Sequence, residues 1–99
     1  MHAFVFVVAG IASWFYPARM YGSQRVCAMN IVRPGRRVLV VNAENGDQAI
    51  CTVIGTGPFV RGRVIDVSPS MRDAIHLHGL GPVRVYIEQH TPSPRGGRL

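Results

Sequence analysis

Asn45-Gly46 stands between two apolar, β-branched runs, Arg37-Val38-Leu39-Val40-Val41-Asn42 and Asp47-Gln48-Ala49-Ile50-Cys51-Thr52-Val53, and this arrangement constrains the chain more than any other. Asn-Gly supplies left-handed backbone at low steric cost, so two strand-like runs on either side of it read as a β-hairpin. A hairpin leaves open edges that other segments must cover.

The other segments are of the same kind. Ala3 to Phe15, rich in Val, Phe, Ile and Trp, reads as one long strand or as two broken at Gly10, and Arg25 to Met29 reads as a short strand. Tyr16 to Ser23 is punctuated by Pro17 and Gly22 and reads as a loop; Arg33-Pro34-Gly35-Arg36 reads as a turn. Gly81 to Glu88 alternates apolar and polar residues, the mark of a half-buried strand. Ser68-Pro69 opens a helix in the preferred order, cap and then first-turn proline, and the expected span is Pro69 to Leu77 with Met71, Ile75 and Ala74 buried. Short, closely spaced strands and one short helix imply a mainly β fold, a small barrel whose closure removes edges. Residues 1-90 are expected to form that domain and residues 91-99, with their prolines, glycines and arginines, a flexible basic tail.

With 99 residues the chain has room for one domain. Its net charge of +6 comes from eleven arginines and no lysine against five acids, which suits an anionic partner such as a wall polymer, a nucleic acid or a membrane surface. The arginines are scattered, with Arg36-Arg37 the one adjacent pair, and do not form the stripe of a nucleic-acid binder. The apolar run Ala3 to Ala9 lacks a basic segment before it, is too short to span a bilayer, and flows directly into Gly10-Ile11-Ala12-Ser13-Trp14. It is read as a strand of the mature protein, with no signal peptide and no membrane span. Cys27 and Cys51 lie in separate strand-like runs, compatible with one disulfide or with two buried thiols, and lack the spacing of a metal site. His76 and His78 fall at the helix end without further ligands, so no metal and no cofactor is expected.

The stretch from Ile54 to Ser68 has the build of a site loop: Gly55, Gly57 and Gly62 free the backbone, Pro58 stiffens it, and Arg61 and Arg63 precede the lone acid Asp66. Gly57-Pro58-Phe59, Gly62-Arg63 and Ile65-Asp66-Val67-Ser68 resemble the signature of the rare lipoprotein A (RlpA) family. Gly10 to Trp14 resembles that family's opening strand, Pro34 to Gly46 its central hairpin, and Gly79 to Val85 its last strand, in the same order along most of the chain. The resemblance implies a six-stranded double-psi β-barrel, related to the expansin and barwin-like barrels, with a groove for peptidoglycan glycan strands. Members that cleave are lytic transglycosylases. It also places Cys27 where some relatives carry a matching cysteine, which implies a Cys27–Cys51 bridge.

Within this resemblance Gly55 stands at the family's Asp, Thr56 at its Arg and Met29 at its His, and the segment after Trp14 is shorter. Asp66 is the polar group that remains, so it is the candidate catalytic residue, either as a single acid and base or as a structural carboxylate bonded to backbone amides of the loop or helix start. Tyr16 and Tyr21, in a polar loop, are candidate sugar-binding residues, as are Thr56 and Phe59. Arg61 and Arg63 either contact an anionic or hydroxyl-rich ligand or solvate the loop; Trp14 and Phe15 are assigned to packing. The function implied is a peptidoglycan-binding module with a degenerate groove. The alternatives are an active lytic transglycosylase using Asp66, or a structural part of a phage virion or other protein assembly. The implied location is extracytoplasmic, in cell wall or periplasm, or in a virion.

Overall fold

A computed structural model describes residues 3–15 and 22–90. The strands are β1 (Ala3–Trp14), β2 (Val26–Ala28), β3 (Arg37–Asn42), β4 (Gln48–Gly55), β5 (Arg63–Val67) and β6 (Gly81–His90), with the helix α1 (Pro69–Ala74) between the last two. They close into a barrel in the order β1-β5-β2-β4-β3-β6. The β1–β5 and β2–β4 pairs are parallel and the other four antiparallel, so the chain twice leaves a strand and returns alongside it in the same direction. The loop Tyr16 to Tyr21 and the tail 91-99 lie outside the described residues.

The inward face follows the period of two that a pleated strand imposes. Val38 and Val40 in β3, Cys51 and Val53 in β4, Ile65 and Val67 in β5, and Val83 and Val85 in β6 are all buried. Cys27 and Cys51 form a disulfide that ties β2 to β4, with Cα atoms 5.9 Å apart. Trp14 packs against this core, and the guanidinium carbon of Arg72 sits 4.3 Å from its ring centroid.

At Asn45-Gly46 the strands β3 and β4 pair as the sequence implies, from Arg37 opposite Thr52 to Val41 opposite Gln48. The connection is longer than a two-residue turn: Gly46 takes the left-handed conformation with φ 81°, and Asn42 and Asp47 close the loop through a 2.8 Å backbone bond. The buried Asn42 holds this loop against the helix end. Its amide donates to the carbonyls of Ile75 at 2.9 Å and His76 at 3.3 Å, and its oxygen accepts from the Glu44 amide at 2.9 Å.

Helix α1 begins where expected and ends earlier. Ser68 caps it: the wholly buried hydroxyl accepts from the Met71 amide at 3.3 Å and the Val26 amide at 3.2 Å and donates to the Gln24 carbonyl at 2.9 Å. Ser68→Ala strands two buried amides and one carbonyl, and we expect it to destabilise the protein by about 2 kcal/mol in urea unfolding. The helix stops at Ala74 because His76 adopts φ 54°. The amides of His76 and Leu77 then turn back onto the carbonyls of Asp73 and Arg72, at 3.2 and 2.9 Å, in the Schellman pattern. Ile75 and Leu77 stay buried although they lie beyond the helix, and Ala74 is only half-buried. His76 is held in this uncommon conformation while its Nδ1 lies 2.7 Å from Asp47 Oδ2 on the hairpin.

Candidate functional site

Strand β5 carries Ile65 and Val67 into the core, and the alternation turns Asp66 between them to the outer face, where it is half-buried. The pairings align Ser13 of β1 with Asp66, Asp66 with Ala28 of β2, and Ala28 with Gly55 of β4, one row across four strands. Within that row the Ser13 hydroxyl donates a hydrogen bond to Asp66 Oδ1. The carboxylate is therefore fixed by a side chain on a neighbouring strand. Of the backbone amides in the loop and helix start, that of Gly57 donates to Asn30 Oδ1 and that of Met71 to Ser68 Oγ, and the side-chain partner of Asp66 is Ser13.

Beyond Gly55 the chain leaves the sheet until Arg63. Gly57, at φ 122°, occupies backbone territory that a side chain would strain. A Cβ built there would lie 3.7 Å from Asp66 Oδ2 and 3.7 Å from Phe59 Cε2, so the buried Gly57 brings the carboxylate and the edge of the aromatic ring to one place. Phe59 itself is 84% exposed, and Ile31, Ile54 and Val60 are further exposed apolar side chains, Ile54 and Val60 adjoining the loop in sequence. Asn30 grips the loop from β2's end, its amide donating to the Pro58 carbonyl at 2.7 Å and its oxygen accepting from the Gly57 amide at 2.8 Å.

The other candidates divide. Thr56 and Arg61 are exposed on the same loop, and half-buried Arg63 lines a cleft of about 150 Å³ with Val8, Asn30, Ile31 and Val64. Neither arginine pairs with Asp66: among the described residues the ion pairs are Arg72–Asp73 and His76–Asp47. Met29 is fully buried in the core, while Gly55 has open space where a side chain would go. Tyr16 and Tyr21 lie outside the described residues. Larger clefts occur elsewhere, one of about 560 Å³ between Trp14, Arg72, His76 and Gly79, but it holds neither the loop nor Asp66. Among the described residues no cluster of His, Cys, Asp or Glu could hold a metal ion, and no helix is long and apolar enough to cross a membrane.

Sequence reasoning missed Asn30 and the role of Ser13. In the sequence Ser13 is legible only as part of the opening strand, and nothing around Asn30 points to a loop 27 positions away.

A closed six-stranded barrel with two parallel strand pairs and a Gly-Pro-Phe loop beside an Ile-Asp-Val-Ser strand end defines a small double-psi β-barrel. Over 95 residues, 84% of this chain and 30% of the relative, it is 34% identical to a probable endolytic peptidoglycan transglycosylase RlpA of Synechocystis sp.. It is 41% identical over 54 residues to the probable RlpA of Nostoc sp., and 29% identical over 102 residues to the endolytic peptidoglycan transglycosylase RlpA of Campylobacter jejuni. The chain is an RlpA-like barrel domain, and it spans 30%, 15% and 37% of the length of these relatives. No family model matches it.

Proposed function

We propose that this chain is a peptidoglycan-binding module that recognises glycan strands through the Gly57–Phe59 loop and lacks the full set of groups for cleaving them. The observation that carries the reading is that the exposed Phe59 ring and the Asp66 carboxylate both lie 3.7 Å from the Cβ position of Gly57. An aromatic face offers stacking area to the C–H side of a sugar ring, and a fixed carboxylate accepts from its hydroxyls. The names of the relatives support peptidoglycan as the ligand class. The Cys27–Cys51 bridge suits an oxidising, extracytoplasmic compartment.

The weakness of the cleaving set follows from the placement of the five acids. Cleavage by two carboxylates needs a second one across the bond. Asp47 is engaged with His76, Asp73 with Arg72, Glu44 belongs to the hairpin loop and Glu88 to β6. Gly55 brings no carboxyl, and Met29 faces the core.

One observation favours a second reading. Asp66 is half-buried on the side of β5 away from the core residues Ile65 and Val67, so Asp66 alone could protonate the glycosidic oxygen and then accept the proton of the sugar's 6-hydroxyl as the anhydro ring closes. Incubation with denuded glycan strands separates the two. We expect the wild type to co-sediment with the strands without releasing anhydro-sugar ends, and Asp66→Asn, whose amide oxygen can still accept from Ser13, to bind within about threefold of wild type with little change in melting temperature. Efficient release of anhydro products that Asp66→Asn abolishes would replace the first reading by the second. Absence of binding by the wild type would remove the glycan reading altogether.

A further inference from the structure

We propose that Asn30 is the positioning residue of the glycan-binding loop, an inference that rests on the glycan-binding reading above. The backbone ladder between β2 and β4 ends with Ala28 opposite Gly55 and the Met29 amide donating to the Gly55 carbonyl at 3.1 Å. The next loop residues, Thr56 to Phe59, have no strand pairing. At that point the Asn30 side chain continues what the backbone has stopped doing. Its two ends satisfy the Gly57 N–H and the Pro58 carbonyl together, as a facing peptide group would, at 2.8 and 2.7 Å.

Asn30 is suited to this because of the residue before it. Met29 is fully buried, which fixes the point from which the Asn30 side chain leaves the barrel. In the loop it holds, Gly57 and Pro58 are buried while Thr56, Phe59, Val60, Arg61 and Gly62 are exposed, and the far end is tied by the Ile11 amide donating to the Gly62 carbonyl at 2.9 Å. Gly57, whose amide it holds, is also the residue whose Cβ position lies 3.7 Å from both Asp66 Oδ2 and Phe59 Cε2. Asn30 therefore sets how the carboxylate and the aromatic face stand relative to each other, without having to touch the sugar.

The test separates positioning from direct contact and from general stability. In Asn30→Ala the Gly57 amide is expected to exchange its hydrogen about tenfold faster, read by NMR, while amides of the core strands keep wild-type rates. Affinity for denuded glycan strands is expected to fall about tenfold. In a Phe59→Ala background the same substitution should lower affinity by less than about twofold, because Asn30 acts through the placement of that ring. Asn30→Asp keeps an acceptor for the Gly57 amide but sets an oxygen against the Pro58 carbonyl, and it should show the same loss of affinity; it also carries the test if the alanine variant folds poorly. Unchanged exchange at Gly57, or losses that add fully in the double variant, would overturn the proposal. If the wild type bound no glycan, the functional reading would fall, and the exchange measurement would still decide whether Asn30 orders the loop.

Discussion

Replacing both Cys27 and Cys51 by alanine is expected to lower the free energy of unfolding by about 3 kcal/mol, a large share of what a domain of this size has. The bridge closes a loop of 24 positions, and constraining such a loop in the unfolded chain accounts for about that amount. The local structure makes the site sensitive as well. Strand β2 has only three residues, yet it pairs with both β4 and β5 and so closes the barrel on that side. The segment before it includes residues outside the description, so the described attachments of β2 are its pairings, the Ser68 bonds and the bridge. Urea unfolding of the variant and of the wild type with and without a thiol reductant would measure the effect. A loss below about 1 kcal/mol in both comparisons would mean that barrel packing alone holds β2 in place.

The fold was legible where structure is local. Asn45-Gly46 gave a hairpin, Ser68-Pro69 gave a capped helix start, and the alternation of Gly81 to Glu88 gave a strand with Val83, Val85 and Ile87 buried. Each of these depends on a few neighbouring residues. The helix end was not legible, because it depends on His76 taking a positive φ, which non-glycine residues seldom do, beside Asp47 from the β3–β4 hairpin. The same limit governs the site. Asp66 and Phe59 are visible in the sequence as members of a recognisable loop, whereas their supports come from far along the chain: Ser13 is 53 positions from Asp66 and Asn30 is 27 from Gly57. Barrel closure brings these residues together, and no period or spacing encodes such a meeting. Met29 illustrates the reverse, since its long apolar side chain is fully buried and at that position the chain supplies core packing.

Phe59→Ala is expected to lower affinity for denuded glycan strands by about tenfold or more while leaving stability within about 0.5 kcal/mol of wild type. The dissociation of the two effects follows from burial. At 84% exposure the ring contributes little to the core, and truncating it leaves no cavity. Its contribution would be realised only when a ligand covers it, as with aromatic anchors that bind apolar faces at small entropic cost. Trp14 provides the internal contrast. Its ring is packed against the core and carries Arg72 over its face, so among the described aromatic residues it is Phe59 that offers an open surface beside Asp66. Phe59→Trp should retain binding, because it keeps a planar ring at the loop tip. Sedimentation isotherms with denuded strands and thermal melts of the three proteins would read both quantities. Unchanged binding by Phe59→Ala would move the sugar contact away from this loop, and a drop of many degrees in its melting temperature would mean that the ring is docked in solution and serves the fold.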